Sequence, residues 1–516
     1  MDDKDILVLN HFFTNIDKPI FFVKNMHPEI WALMQARYSR AKEGMRESFL
    51  NLLKEDPENF EAIANILQDK ESGISMDKAL DKAIKFMDKW VLGYGHASVA
   101  EGAVVGVALE GVSIIATKII EDNRLCSFIE KSTRYVQFDR DSFMIPEKLK
   151  KSKYSHEIEK YIDELFEVYT KMREPVLGYV KKSAPLNPGE SQSAWERACN
   201  GRTFDAIRYI LPACTKTSLG WTVNARNLAH GISKLLSYPL DEMKEIGHML
   251  KSEGGKVLPS LLKYADEKKY YVDTEKEMRH NLKLETGPND AQVILSSVTH
   301  DPLDITVAAI LYKIRNHSYN DILSEVKQMN KEEKEKIIDM YLSKMSDFDW
   351  PMRELEHVYF TWDILMDYGA FRDLQRHRIC TQTNALLTTF NSYSTPPDVI
   401  HAGMQHEFDR VMRKADELYK KLYKEFPYEA QYIIPLGYRK RFLFTGNLRE
   451  MYHFIKIRTT PQAHFSYRDI ARKMYIIMKE KYPILSKYIK CNMSDDELGR
   501  LKSELKFQEK VDKGLI

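Results

Sequence analysis

The chain has 516 residues, too many for one ordinary hydrophobic core, so two domains are expected. Its 77 basic and 75 acidic side chains nearly cancel, leaving +2, which argues against a general nucleic-acid coat but leaves room for a local basic pocket. Five widely spaced cysteines (Cys126, Cys199, Cys214, Cys380 and Cys491) form no C-x-x-C pair and argue against a zinc cluster or a disulfide framework; no metal is expected, and a reducing cytoplasm is the expected compartment.

The opening stretch, MDDKDILVLNHFF, sets acidic residues before a short apolar run and resembles no secretory signal; its ILVLN reads as a short strand. From Asp77 to Trp90, Ala79, Leu80, Ala83, Phe86, Met87 and Trp90 fall at helical spacing, and Gly93 and Gly95 stop the helix. VSIIATKII (Val112–Ile120) is an apolar stretch closed by the polar Glu121-Asp122-Asn123-Arg124. Between Asp266 and Asp290 the chain turns polar, carries Gly287 and Pro288, and reads as a linker. QVILSS (Gln292–Ser297) reads as a strand opening the second half, and NKEEKEKIID (Asn330–Asp339) as a solvated helix face. TWDILMDYGAFRDLQRHR again runs from an apolar stretch into a charged end. No uninterrupted apolar run is long enough to span a bilayer, so no membrane partner is expected.

That parallel extends. The block from Glu101, EGAVVGVALEGVSIIATKIIEDNRLCSFIEKSTRY, answers the block from Glu356, EHVYFTWDILMDYGAFRDLQRHRICTQTNALLTT. Further on, YILPACTKTSLGWTVNARNLAHGISKL (Tyr209–Leu235) answers YIIPLGYRKRFLFTGNLREMYHFIKIR (Tyr432–Arg458). Two matched blocks in one order imply two diverged copies of one domain, residues 1–285 with a C-terminal linker and residues 286–516. The fold class expected is α+β, mostly helical, with a smaller mixed or antiparallel sheet in each copy.

Arg376-His377-Arg378 ends a helical stretch, and cations packed that tightly call for an anion. Arg-His-Arg, seven residues, Ser, then x-Arg-Tyr resembles the signature of flavin-dependent thymidylate synthases. The first copy reads Asp122-Asn123-Arg124, seven residues, then Ser132-Thr133-Arg134-Tyr135; the second reads Arg376-His377-Arg378, seven residues, then Leu386-Leu387-Thr388-Thr389. ARYS (Ala36–Ser39), GHASVAE (Gly95–Glu101), RYILP with TVNAR (Arg208–Pro212, Thr222–Arg226) and TGNLR…IR (Thr445–Arg458) resemble further motifs of that family. The resemblance implies an FAD-dependent methyltransferase of nucleotide biosynthesis that converts dUMP to dTMP. Methylenetetrahydrofolate donates the carbon, flavin hydride is the reductant, NADPH reduces the flavin, and no enzyme nucleophile is needed. Family members are typically homotetramers with sites shared between subunits. This chain is therefore expected to pack its copies as a pseudo-dimer and to pair into a pseudo-tetramer.

Carried over residue by residue, the resemblance assigns dUMP to Arg376, Glu130, Ser132, Arg134, Arg208 and Arg458, with Arg458 also catalytic. It assigns FAD to Ser39, His96, Ser98, Glu130, Arg376, His377, Arg378, Asn224, Arg226, Asn447 and Arg449. A phosphate near two charges calls for several arginines, whose planar forks grip its oxygens, and an arginine on the uracil would stabilise charge developing on the ring. The family's late arginine, eleven residues after the Asn, is Arg458 in the second copy and Leu235 in the first. The losses alternate. The first copy keeps Ser39, His96, Ser98, Glu130, Ser132, Arg134 and Arg208; the second keeps Arg376, His377, Arg378 and Arg458, but has Tyr312 for the serine of ARYS, WPMRELE for GHASVAE, and Gln431 for Arg208. One complete composite site per chain is thus expected, with a dead counterpart built from Asp122, Leu235, Leu386, Thr388 and Gln431. Two departures stand out: Asp373, with Arg372 beside it, replaces the family's glutamine before the triplet, and TTPQAHF does not cleanly match the family's late His and Gln.

Plainer roles also fit these residues. His96 suits a structural histidine, Arg134-Tyr135 a surface arginine beside a core tyrosine, Asn224 and Asn447 helix caps, and Arg376-His377-Arg378 a solvated helix end. Alternative functions are a flavoenzyme for another pyrimidine nucleotide or one-carbon group, and a catalytically silent nucleotide-binding scaffold.

Overall fold

The computed structural model describes residues 1–39, 41–55, 57, 60–61, 64, 97–134, 137–282, 290–495 and 497–515. The expected helix Asp77–Trp90, Gly93, Gly95 and His96 lie outside the described residues, as do Tyr135, Gly287 and Pro288. The chain forms two compact units: residues 1–110, 125–130 and 218–283 in the first, residues 111–124, 131–217 and 284–516 in the second. Among the described residues no helix is long and apolar enough to cross a membrane.

The chain opens with helix α1 (Asp3–Phe12), not the strand expected from ILVLN. The reason is local. Asp2 accepts from the Asp5 amide at 2.8 Å and Asp5 accepts from the Asp2 amide at 3.2 Å, a reciprocal cap that fixes the first turn. Val8, Leu9 and Phe12 then form its buried face. Helix α2 (Pro28–Tyr38) comes next. Strands β1 (Val104–Ser113), β2 (Cys126–Glu130) and β3 (Lys216–Asn224) form a sheet in the order β1-β3-β2, with β2 and β3 antiparallel from Cys126↔Val223 to Glu130↔Leu219. Residues Lys269–Asn281, expected as linker, form a helix with no buried residue, so apolar periodicity gave no sign of it.

The second sheet runs β4-β5-β7-β6, all pairs antiparallel: β4 (Val293–Val298), β5 (Tyr359–Asp367), β6 (Thr381–Asn384) and β7 (Arg439–Asn447). QVILSS is a strand, as expected. The same local device recurs in both halves: a strand ends on a short polar residue that caps the helix after it. Ser113 caps α3 (Ile114–Ile120) and Asp367 caps α7 (Tyr368–Leu374); Asn224 caps α6 (Ala225–Leu236) and Asn447 caps α9 (Leu448–Arg458).

Within the second unit the two copies meet about a local pseudo-twofold. Around Pro212 and Pro435 the amides of Ala213 and Cys214 donate to the carbonyls of Ile434 and Tyr432, both at 2.8 Å. The amides of Leu436 and Gly437 return the same pattern to Leu211 and Tyr209, at 2.8 and 2.7 Å. Long helices α4 (Ser155–Ser183) and α8 (Gln405–Tyr423) repeat the exchange, Lys171 to Glu407 at 3.1 Å and Lys421 to Glu157 at 2.5 Å, with Glu164 against Lys414 between them. Reciprocal contacts of this kind are what an isologous interface makes between identical subunits. Here one polypeptide makes them with itself. The first copy differs by an inserted helix, α5 (Gln192–Ile207), placed just before the YILP turn.

Candidate functional site

Helix α5 delivers Asp205, and the 3-10 turn directly after it, Arg208–Ile210, delivers Arg208. Arg208 is 3% exposed. Its Nη1 donates to Thr133 Oγ1 at 3.3 Å, while Nε and Nη2 have no partner among the described residues. Burial lowers its pKa, and the nearby Asp205 only partly offsets that effect. Arg372, also buried, donates to the same Thr133 hydroxyl at 3.3 Å. Ser132 accepts from the Arg134 amide at 3.1 Å, which leaves its own O–H to donate.

Arg134 holds Asp205 in a two-pronged pair, Nε to Oδ1 at 2.6 Å and Nη2 to Oδ2 at 3.0 Å, and reaches the Gln462 carbonyl at 3.5 Å. Arg500 donates to the same Oδ2. Burial opposes ionisation of Asp205, but Arg134, Arg500 and His464 outweigh it and hold the carboxyl well below the usual range. His464 is buried against the Asp205 carbonyl at 3.3 Å and stacks on Tyr209 and Phe465.

Asp373, on α7, is buried at the centre of the cluster. Burial raises its pKa, yet the fields of Arg134, Arg208, Arg376 and Arg458 prevail and the value falls to about 2. The carboxylate that replaces the family's glutamine thus serves as an internal counter-ion. Among the described residues cations still exceed anions: Arg134, Arg208, Arg372, Arg376, Arg458 and Arg500 stand against Asp205, Asp373 and, behind Arg458, Glu450.

Arg458 ends α9 and is oriented from behind. Its Nε donates to His377 Nε2 at 2.8 Å, and His377 Nδ1 lies 2.6 Å from Glu450 Oε1. Since Nε2 accepts, Nδ1 carries the proton and donates to Glu450, so the ring is neutral. Burial, then Arg458 and Arg378, push its pKa well below the ordinary value, which agrees. Glu450 is placed by the Asn447 cap, whose side chain accepts from its amide at 2.8 Å. With Nε taken, the two Nη groups of Arg458 have no hydrogen-bond partner among the described residues, and the guanidinium lies 5.3 Å from the Tyr467 ring centroid.

Other expected positions behave differently. His377 is buried with both ring nitrogens engaged, so it has no nitrogen left for a flavin edge. His453 adds a third group within 4.8 Å of His377 and Glu450, but the same two hydrogen bonds occupy the imidazole that a metal would need. Arg376 is exposed, with no ion pair or hydrogen bond from its side chain among the described residues, and Arg378 is half-buried. Asn447 and Asn224 serve as helix caps, and their neighbours form matching pairs: Arg449 with Glu356 at 3.0 Å, Arg226 with Glu101 at 2.5 Å. In the first unit Ser39 is exposed, its hydroxyl on the Ala36 carbonyl at 2.8 Å; Ser98 is exposed in the 3-10 turn Ala97–Glu101, and Glu130 is half-buried at the end of β2.

The described residues at the pseudo-equivalent position in the second unit make different contacts. Where Arg208 meets Thr133, Gln431 Oε1 accepts from the Leu387 amide at 2.9 Å. Lys118 pairs with Glu121 in buried surroundings at the positions of Arg372 and Gln375. Buried Lys440 donates to the Ala385 carbonyl at 2.6 Å; burial depresses its pKa to about 8, against the pull of nearby Asp122. Leu235, in the first unit, is buried.

Sequence reasoning did not assign roles to Thr133, Asp205, Glu450, Gln462, His464 and Arg500. Signals existed for five: Thr133 lies inside the Ser-Thr-Arg motif, Asp205 precedes Arg208 by one helical turn, Glu450 is three residues past its cap, and Gln462 and His464 lie in TTPQAHF, the stretch set against the family's late His and Gln. Arg500 left none.

The model of the family described as thymidylate synthase complementing protein matches residues 32–260 and again residues 294–484. A UPF0159 protein of Chlamydia muridarum is 34% identical over 96% of each chain, and a UPF0159 protein of Thermoplasma acidophilum is 28% identical over 83% of this chain and 92% of its own. A flavin-dependent thymidylate synthase of Pyrococcus furiosus is 31% identical over 27% of this chain and 49% of its own length. A crystal structure of a UMP/dUMP methylase from Streptomyces cacaoi, bound with 5-Br dUMP, is similar at 18% identity over 38% of this chain and 93% of that one, with a TM-score of 0.29. Matched twice over most of its length, the chain belongs to the thymidylate synthase complementing protein family and carries two copies of its domain in tandem.

Proposed function

We propose that this chain is an FAD-dependent thymidylate synthase, methylating dUMP to dTMP with methylenetetrahydrofolate at one composite site per chain. The observation that carries the reading is Arg208: a buried guanidinium with Nε and Nη2 unpaired among the described residues, in a cluster where arginines outnumber carboxylates. Such a group is costly to bury and is satisfied by an anion that arrives from outside. Ser132, Arg134 and Arg208 from the first copy would hold the phosphate. Arg458 from the second, its Nε fixed by His377, would turn its Nη pair to the uracil and stabilise negative charge as C5 attacks the one-carbon carrier. The resemblance to flavin-dependent thymidylate synthases supports the chemistry.

Arg376 and Glu130 keep their dUMP assignment as well, and the donor set fits the flavin in one respect: exposed Arg376 and half-buried Arg378 suit a diphosphate. FAD, when bound, supplies the hydride that reduces the transferred methylene, with NADPH as its reductant. Glu130, Ser39, Ser98, His96, Asn224, Arg226, Asn447 and Arg449 keep their flavin-side assignment as part of this proposal. A homodimer giving four copies of the domain is the proposed assembly.

The test is a product assay with dUMP, methylenetetrahydrofolate, FAD and NADPH. Yellow protein that retains flavin on desalting and forms dTMP is the expected result. Colourless protein that fails to take up FAD on titration and forms no dTMP would leave only a nucleotide-binding scaffold.

A further inference from the structure

We infer that Arg500 is a positioning residue of the anion site: from a segment past the matched domains it grips Asp205, and through Asp205 it aims Arg134 at the phosphate. The inference rests on the phosphate-binding role proposed above for Arg134 and Arg208. The family match ends at residue 484, and the chain beyond it returns to the inserted helix α5. Glu497 accepts from Arg202 through its carbonyl at 2.7 Å and its carboxylate at 3.0 Å. Helix α10 (Leu501–Asp512) then lies along α5, Glu504 on Arg197 Nε at 2.8 Å and Gln508 on Arg197 Nη2 at 3.0 Å. Between these two anchors Arg500 turns inward, nearly buried, onto Asp205 Oδ2.

The seat for this side chain is built. A Cβ at Gly201 would lie 2.5 Å from Arg500 Nη1, and one at Gly499 would overlap the Pro461 carbonyl oxygen. Glycine at 499 lets the backbone pass Pro461, and glycine at 201 lets the guanidinium lie where it does without being pushed aside. The charge arithmetic then explains the seat. Asp205 alone would neutralise Arg134, leaving a locally neutral pair where a dianion must bind. Arg500 restores the lost positive charge and shares Oδ2, so Arg134 keeps Nη1 for an incoming oxygen while Asp205 is pinned on both oxygens. Arg500 and Asp205 also line a cavity of about 410 Å³, so a shorter side chain enlarges open space rather than breaking a packed core.

The test uses the full chain as wild type, Arg500→Ala, Arg500→Lys and Arg208→Ala, titrated by calorimetry with dUMP and separately with inorganic phosphate. Arg500→Ala is expected to weaken both ligands about tenfold or more, the effect of one charge-assisted contact. Arg500→Lys should recover most of the loss, and KM for dUMP should rise further than kcat falls. Affinities within twofold of wild type in Arg500→Ala, with binding lost in Arg208→Ala, would overturn the inference and leave the nucleotide site standing. Equal loss in Arg500→Ala and Arg500→Lys, with a lowered Tm in both, would assign Arg500 to folding alone and also overturn it. Wild type that binds phosphate but not dUMP would refute the nucleotide reading, while the phosphate series still decides the role of Arg500. Wild type that binds neither would refute both.

Discussion

Burying a guanidinium without its hydrogen bonds costs several kcal/mol, and the fold accepts that cost at Arg208, where two donors have no partner among the described residues. Stability and binding should therefore move in opposite directions there. Arg208→Met is expected to raise Tm by about a few degrees, seen by calorimetry, while weakening dUMP at least ~10-fold. Arg458 should behave otherwise. In the proposed role its loss removes a contact to the developing uracil charge, so Arg458→Ala should abolish turnover with the circular dichroism spectrum retained. Glu450→Gln, acting through His377, should lower kcat by about tenfold and leave the KM for dUMP nearly intact. Asp373 links the site to pH. Its folded pKa of about 2 lies below the reference 3.8, so its contribution to stability is present above that reference and lost as pH falls through about 2. Asp373→Asn should thus lower Tm at pH 7, and the difference from wild type should shrink toward pH 2. The same variant removes an internal competitor for the arginines and should bind dUMP more tightly.

At the scale of elements, the strand–cap–helix unit does most of the positioning. Asn447 fixes the first turn of α9, which places Glu450 beneath His377 and Arg458 at the helix end. Asn447→Ala should cost about 1 kcal/mol as a cap and should also lower kcat; Asn224→Ala should cost the same as a cap. The caps were legible in the sequence, because Asn224 and Asn447 hold the same place in the two matched blocks and the late arginine follows eleven residues on in the second copy; the strands that lead into them were not, since their apolar stretches show no clear alternation. The capping box that turns ILVLN into a helix was not, since it depends on Asp2 and Asp5 rather than on apolar period. Nor was the way His377 is used: a histidine beside two arginines reads as solvent-facing, yet Glu450 brings it inside as a neutral relay. Residues such as Asp205 and Arg500 meet only in three dimensions, and one chain carries no trace of that pairing.

For the whole molecule, the proposed composite site would account for a signature whose tail stands in the first copy and whose head stands in the second. The reciprocal contacts around Pro212 and Pro435, and between α4 and α8, put the Ser132–Arg134 segment of one copy beside Asp373 of the other. At the pseudo-equivalent position Gln431 and Lys440 satisfy internal carbonyl and amide groups instead of waiting for an anion. Asp122→Ala should accordingly leave dTMP formation within twofold of wild type, checked in the product assay. The most direct test is a calorimetric titration of the full chain with dUMP, and then the same titration of Arg208→Ala, from the first copy, and Arg376→Ala, from the second. One dUMP per chain, weakened strongly by either substitution, is the expected result. Two dUMP per chain, or full-affinity binding that survives loss of one of these arginines, would contradict a single site assembled from both halves.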